Sequence, residues 1–536
     1  MSTILITGAT DGIGLALARI YQTRGARLIL VGRRSLGQLD STLFTTTTYC
    51  QADLLHADCA ESITHFLHTQ GIQQLDLLIH NAGIGYYGPT EKQAPEKIRE
   101  LVTVNLLAPI ALTHALLPLL RQPSGKIVFI SSVASALATP QYAVYSATKA
   151  ALDGLARNLR IELRDRVAVQ VIHPGATRTG MHAKSGISKD VLNWERFPPA
   201  DRVASQITQA IDGQQASVTI GLGNRLLRFA GQHLAWPIDG AMRINVRIKN
   251  QGLQNLAPLS QNWGRGRGKG PEQAKTCLIT GAADGIGRAL AYRLAAAGYA
   301  IIGIDVDAER AKQTQGALEQ EGATVEFMIA NLASEAGIND VLDRLSDRRA
   351  IDLLIHNAGI NAVGPFGKIE LARQRAVIQV NLLAPLLITA GLLREQKILS
   401  GGSLVFISSL SHFASYPGAS TYAASKDGLA SYARSLSVAC SAHNIHVLTV
   451  YPGPTRTAHA RRYSPDNSRE ARRMPPEQVA DAIFRAVKAR QRTLIPGIGN
   501  RLFATFGWIF PSLTEWIMRK TLFEKLVSSH GIKEVQ

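Results

Sequence analysis

The chain repeats itself once, at an almost constant spacing, over nearly its whole length. Thr7-Gly8-Ala9-Thr10-Asp11-Gly12-Ile13-Gly14 returns 273 residues later as Thr280-Gly281-Ala282-Ala283-Asp284-Gly285-Ile286-Gly287. Leu77–Ile84 returns at Leu353–Ile360 and Asn105–Pro109 at Asn381–Pro385, each 276 residues on. Tyr145 and Lys149 return as Tyr422 and Lys426, Pro174-Gly175 as Pro452-Gly453, and Gly223–Leu226 as Gly499–Leu502. A period this long is not that of a solenoid, because each copy can bury a core of its own. The repeat therefore predicts one domain present twice, which suits 536 residues, too many for one core.

Within each copy, short β-branched runs alternate with helical periodicity. In the first copy Ile4–Thr7, Leu28–Val31, Leu77–His80, Ile127–Ser131 and Val167–Ile172 read as buried parallel strands, with Leu15–Arg24 and Ala147–Arg160 among the helices. The expected class is α/β: two doubly wound parallel sheets of the Rossmann type in tandem, with ligands beyond the carboxyl ends of the strands. The expected domains are 1–250 and 275–536. A linker over 251–274 separates them, ending in a run of glycines alternating with Arg265, Arg267 and Lys269.

Four cysteines without paired spacing argue against a disulfide framework or a zinc site, and no other metal site is expected. The apolar stretch Leu101–Leu120 is interrupted by Asn105, Pro109, His114 and Pro118, so it reads as a buried helix rather than a membrane span. A strand beginning by Thr3 leaves no room for a cleaved leader, and a cytoplasmic location is expected, with peripheral membrane contact left open. The formal net charge is +18, but no nucleic-acid-binding module accompanies it and no nucleic-acid partner is expected.

In Gly8-x3-Gly12-x-Gly14, and again in Gly281-x3-Gly285-x-Gly287, glycines follow a strand and open a helix. Such a turn lets backbone approach a pyrophosphate at the helix N-terminus. With Asn81-Ala82-Gly83, Asn357-Ala358-Gly359 and a Tyr-x3-Lys pair in each half, the chain resembles the short-chain dehydrogenase/reductase family along nearly all of both copies. The resemblance implies that Thr7, Gly8, Asp11, Gly12, Ile13 and Gly14, and in the second copy Thr280, Gly281, Asp284, Gly285, Ile286 and Gly287, hold a nicotinamide dinucleotide. It implies that the Asn-Ala-Gly turns line the adenosine side and that Asp53 contacts adenine, where the second copy has Asn331. Thr179 and Thr457, following Pro174-Gly175 and Pro452-Gly453, are implied beside the nicotinamide carboxamide.

The copies differ after the second strand. The first reads Gly32-Arg33-Arg34 and the second Asp305-Val306-Asp307. Arginine pairs with a ribose 2′-phosphate, whereas a carboxylate accepts from the ribose hydroxyls and repels that phosphate. NADP is therefore expected in the first copy through Arg33 and Arg34, and NAD in the second through Asp305.

Ser132, Tyr145 and Lys149 are spaced as in the family's catalytic set, with Ser 13 residues before Tyr and Lys 4 after it, and Ser409, Tyr422 and Lys426 match them. Residues four apart share a helix face, so Lys149 lies under the Tyr145 ring. An ordinary phenol, with pKa about 10, is protonated at neutral pH. Lys149 and the nicotinamide charge are expected to lower it by about two to three units, worth roughly 3–4 kcal/mol. Tyr would then exchange a proton with the substrate oxygen, and Ser would hold that oxygen. By resemblance, Asn105 and Asn381 anchor a water in the relay to Lys.

The expected function is a bifunctional oxidoreductase that interconverts carbonyl and alcohol groups of a lipophilic or acyl-type small molecule. A nicotinamide-binding scaffold without turnover, and an epimerase coupling the two cofactors, stay open. Arg461, Arg462, Arg469, Arg472 and Arg473 in the second copy's lid segment suit an anionic substrate or a solvated loop equally. The apolar segments Arg225–Trp236 and Arg501–Phe510 suit packing, a lipophilic entrance or a membrane surface. Because the family pairs through the helices carrying Asn105 and Tyr145, either an internal pseudo-dimer or a homo-oligomer is expected.

Overall fold

The computed structural model describes residues 1–120, 125–187, 193–254, 274–464, 467–468 and 470–529. The first copy builds a seven-stranded parallel sheet from β1 (Thr3–Thr7), β2 (Arg27–Gly32), β3 (Tyr49–Gln51), β4 (Leu77–His80), β5 (Lys126–Ile130), β6 (Ala168–His173) and β7 (Ser217–Thr219), in the order β3-β2-β1-β4-β5-β6-β7. The second repeats it with β8 (Lys275–Thr280), β9 (Tyr299–Asp305), β10 (Val325–Ile329), β11 (Ile351–His356), β12 (Ile398–Ile407), β13 (His446–Val450) and β14 (Thr493–Leu494), in the order β10-β9-β8-β11-β12-β13-β14. Strands such as Leu-Leu-Ile-His at β4 are apolar on both faces because helices cover both sides. The order reverses between β1 and β4, and between β8 and β11, opening a crevice at the strands' carboxyl ends.

Eight helices position the sites: α1 (Gly12–Thr23), α2 (Ala143–Glu162), α3 (Leu222–His233), α4 (Ala235–Gln254), α5 (Gly285–Ala295), α6 (Ser420–Ala439), α7 (Ile498–Ile509) and α8 (Pro511–Met518). α4 continues past residue 250, the domain limit expected from sequence; most of the Gly/Arg linker, 255–273, lies outside the described residues. The stretch Pro95–Leu120 and its counterpart Leu371–Arg394 are long and apolar enough to span a bilayer, yet 72% and 89% of their most apolar windows are buried in the protein. The four cysteines are buried and free.

The two halves share a core. One apolar cluster joins Leu152, Leu155 and Leu159 of α2 to Leu429 and Leu436 of α6, while separate clusters fill the outer layer of each half. α2 and α6 run antiparallel, with Gly154 beside Asp427 at one level and Glu162 bonded to Ser420 at another. A methyl group on Gly154 would lie 2.4 Å from Asp427 Oδ2, so only glycine permits this approach. The two long helices thus pair with each other inside one chain.

The tails cross over as well. Asp239 on α4 of the first half accepts from Arg434 Nε at 2.7 Å, and Glu515 on α8 of the second half pairs with Arg160. α4 and α8 therefore each reach the other half's central helix.

Candidate active sites

In both copies the Gly-rich turn leads straight from the first strand into a helix N-terminus. Its last glycine leaves no room for a side chain: a methyl on Gly14 would lie 2.2 Å from Gly8 O, and one on Gly287 1.9 Å from Gly281 O. Thr7 Oγ1 accepts from Asn81 N (3.1 Å) and Ala82 N (3.0 Å), and Asn81 Nδ2 donates to Thr7 O (3.0 Å). Thr280, Asn357 and Ala358 repeat these bonds. The Asn-Ala-Gly turns thus brace the Gly-rich turns across the crevice. Thr179 and Thr457 reach the same place, their Cγ2 atoms 3.0 and 3.1 Å from methyl positions on Gly12 and Gly285. The open crevice and the exposed helix N-terminus fit a dinucleotide pyrophosphate.

Asp53 Oδ1 accepts from Leu55 N at 3.0 Å, and Asn331 Oδ1 from Ala333 N at 2.9 Å, so both residues make the same local turn. Asp11 pairs with Lys184 at 2.7 Å and Asp284 with Arg310 at 3.2 Å.

At the end of the second strand the copies diverge as the sequence predicts. Gly32 and Asp305 each follow the residue registered against Thr7 or Thr280. Asp305 Oδ2 accepts from Ala283 N (2.9 Å) and Oδ1 from Val306 N (2.8 Å), which fixes the carboxylate at the rim of the crevice. The first copy has no side chain at this point. Arg33 is exposed there, and Arg34 Nη1 donates to Thr10 O at 3.3 Å.

The structure brings each Ser-Tyr-Lys set together. Tyr145 and Lys149 lie in the first turns of α2, with Lys149 Nζ 5.8 Å from the Tyr145 ring centre and donating to Ile130 O at 3.0 Å. Ser132 lies beside Tyr145 and favours its phenolate form, and its Oγ accepts from Ala134 N at 3.1 Å. Lys426 Nζ lies 5.8 Å from the Tyr422 ring centre and donates to Ile407 O at 2.9 Å, and Ser409 beside Tyr422 favours its phenolate form.

Asn105 and Asn381 sit in π-turns, Thr103–Leu107 and Gln379–Leu383. The wider turn aims each amide inward. Asn105 accepts from Ile84 N (2.9 Å) and donates to Ile84 O (3.0 Å), and a methyl on Gly83 would lie 3.4 Å from both Asn105 Oδ1 and Lys149 Nζ. Asn381 bonds Ile360 in the same way. The Pro-Gly turns close the group, with Val133 N donating to Pro174 O (3.1 Å) and Leu410 N to Pro452 O (3.0 Å).

Burial raises the pKa of Tyr145 and Tyr422, and the neighbouring serines lower it in part. Burial also lowers Lys149 and Lys426 to about 8. In the protein by itself burial is the largest influence on both groups. The resting phenol carries its proton.

Sequence reasoning missed several residues. In the second copy a cavity of about 1710 Å³ runs from Asp305 past Tyr422 to the closing helices. His459 faces Tyr422 there, its ring centre 6.5 Å away, and burial lowers its pKa to about 4, so it is neutral at pH 7. Asn224 and Asn500 press on the Pro-Gly turns, 2.3 and 2.4 Å from methyl positions on Gly175 and Gly453. Only the exact repetition of Gly-Asn-Arg-Leu in the two copies could have signalled these asparagines. Of the lid arginines, Arg462, Arg472 and Arg473 line the cavity, Arg461 pairs with Glu470 at 2.9 Å, and Arg469 lies outside the described residues.

The profile of the short chain dehydrogenase family matches residues 2–190 and again 275–468. A dehydrogenase/reductase SDR family protein 7-like of Drosophila melanogaster is 31% identical over 250 residues, covering 43% of this chain and 76% of that protein. The uncharacterized oxidoreductase YciK of Escherichia coli is 35% identical over 197 residues, covering 35% of this chain and 78% of that protein. Among solved structures, a short-chain dehydrogenase from Sphingobium yanoikuyae in complex with NADPH shares 29% identity, with a TM-score of 0.39, over 45% of this chain and 95% of its own. The two curated relatives cover 43% and 35% of this chain. The chain belongs to the short chain dehydrogenase family in both of its halves and is an NAD(P)-dependent oxidoreductase.

Proposed function

We propose that each half interconverts a carbonyl and an alcohol at its own Ser-Tyr-Lys site, the first with NADP and the second with NAD, on a lipophilic small molecule. The observation that carries this reading is the same tyrosine, lysine and serine geometry at the carboxyl edge of both sheets. The nicotinamide supplies or accepts the hydride. In reduction the protonated Tyr145 or Tyr422 donates to the carbonyl oxygen, and Ser132 or Ser409 holds that oxygen as charge gathers on it. Lys149 or Lys426 keeps an ammonium beside the phenol and restores its proton.

The proton supply gives a pH dependence. A lysine lowered to about 8 is protonated below that pH and neutral above it. For carbonyl reduction, kcat/KM is expected to stay level up to about pH 8 and then to fall tenfold per unit. Alcohol oxidation, which needs the proton removed, runs the opposite way. A pH profile of the second site with Lys426→Met should lose the inflection; an unchanged inflection would remove lysine from the relay.

Cofactor choice is tested by titrating each nucleotide into single-site variants. Arg33→Ala should weaken NADPH binding at the first site by about 10- to 100-fold, the worth of a charge-assisted phosphate bond, and leave NADH unchanged. Asp305→Ser should relax the exclusion of NADPH from the second site. Equal weakening of both nucleotides by Arg33→Ala would remove the assignment.

The lipophilic character rests on Ile498, Phe503, Met518 and Leu522, which wall the outer end of the cavity. Across a series of n-alkyl ketones, kcat/KM should rise about threefold to fourfold per methylene buried, following roughly 0.8 kcal/mol each. No dependence on chain length would end this part of the reading.

A further inference from the structure

The closing helices present an apolar surface that the protein leaves uncovered. Among the described residues, every exposed large hydrophobic side chain except Met1, Val306 and Ile329 lies in 222–244 or 498–516. The first segment holds Leu222, Leu226, Phe229 and Ile244; the second holds Ile498, Leu502, Trp508 and Trp516.

Ordinary packing would turn the large residues inward. Here the inward face is small: Gly231 lies against Ala136 O, and Gly507 against Phe413 O, each with no room for a methyl group. α3 and α7 therefore lie flat on their own halves by their small residues and turn the large ones outward. Leu502 is 68% exposed and its counterpart Leu226 63%.

The two segments meet. The rings of Phe229 and His233 are 4.4 Å apart, and His233 and Trp508 are 5.1 Å apart, so α3 of one half touches α7 of the other. Duplication thus joins two modest patches into one surface.

Its charge is one-sided. Arg225 and Arg501 are exposed in these segments, and Lys525 is exposed shortly after the second. The acids there, Asp239, Glu515 and Glu524, are paired with Arg434, Arg160 and Lys520. α7 and α8 line the second half's cavity through Ile498, Phe503 and Met518, and Leu522 and Lys525, just after α8, line it too.

We infer that this joint face of α3, α4, α7 and α8 docks on an anionic phospholipid bilayer, from which the second site draws its substrate. Leucine and phenylalanine enter the acyl boundary, Trp508 and Trp516 sit at the headgroup level, and the arginines and the lysine meet lipid phosphates. Each basic residue near an anionic surface adds about 1 kcal/mol, so the three exposed ones favour an anionic membrane over a neutral one. A second protein copy would bring the same positive charge against itself. The inference rests on the lipophilic-substrate reading for its purpose, although not for its physics.

The test is co-sedimentation of the full chain with substrate-free vesicles. The protein is expected to pellet with phosphatidylcholine–phosphatidylglycerol vesicles, less so in high salt, and at least about tenfold more weakly with phosphatidylcholine alone. Leu226→Glu with Leu502→Glu should lower the anionic partition by at least about tenfold, while turnover of a short, water-soluble ketone is unchanged. Protein that stays in the supernatant of anionic vesicles overturns the inference. So does a dimer by light scattering that the double variant splits while vesicle binding is absent, since a second copy would then cover the face. Because the vesicles hold no substrate, failure here leaves the chain-length test of the lipophilic pocket standing, and failure of that test leaves membrane binding measurable.

Discussion

Replacing Tyr145 and Tyr422 together by phenylalanine is expected to lower turnover of any ketone or alcohol by about 10²- to 10⁴-fold, the usual worth of a positioned proton donor. The fold should survive. Each ring packs edge-on against another aromatic, Tyr142 at 5.8 Å or Tyr416 at 6.1 Å, and phenylalanine keeps that contact. Cofactor titration should be unchanged, because the bracing bonds of the Gly-rich turn involve Thr7, Asn81 and Ala82 and not the phenol. Each single variant should silence one site and so assign each activity to a half. Turnover that persists undiminished in the double variant would end the proposal for both halves. Normal nucleotide binding with no turnover in the unaltered protein would favour the scaffold reading instead.

Glu162→Ala is expected to damage the second site from the first half. Glu162 ends α2 and reaches into the other copy. Its carboxylate accepts from Phe366 N at 2.9 Å, from Gly418 N at 2.8 Å and from Ser420 Oγ. Ser420 opens α6, two residues before Tyr422. The neighbouring Ser415 has φ +64° and ψ +166°, a conformation costing about 1–3 kcal/mol that must be held from outside. Asn158 Oδ1, also on α2, accepts from the adjacent Tyr416 N.

Removing the carboxylate leaves three buried donors unpaired, a loss of about 3–5 kcal/mol. The melting temperature should fall by roughly 4 °C. The informative reading is the split between sites. In a Tyr145→Phe background, which reports the second site, kcat should drop at least about tenfold; in a Tyr422→Phe background the first site should keep most of its rate. Equal losses at both sites would reduce Glu162 to a general stabiliser, and no loss at either would remove it as a positioning residue.

Both catalytic sets were legible because their chemistry is local: Tyr145 and Lys149 share one helix, so a spacing of four is already a geometry. The cofactor turns were legible for the same reason, with strand, glycines and helix contiguous in the chain. The contrast between Gly32 and Asp305 was visible as residue types, whereas the bond from Ala283 N that sets the carboxylate in place was not. His459 and Glu162 were illegible. Each matters through a partner far along the chain, and neither belongs to a motif.

The sequence by itself determined two α/β units, five of the seven strands of the first and the Ser, Tyr and Lys that meet in each half, because hydrophobic period, turn glycines and short motifs act over a few residues; the short edge strands Tyr49–Gln51 and Ser217–Thr219 and the order in which the strands pair came only from the tertiary structure. Only the tertiary structure decided how the units join. The α2–α6 contact, the crossed tails, the reach of Glu162 into the other site and the shared apolar face all depend on which surfaces meet across more than two hundred residues of chain. It also decided the electrostatics of the tyrosine and lysine: burial is a property of the assembled site, and it raises the pKa of the phenol and lowers that of the ammonium.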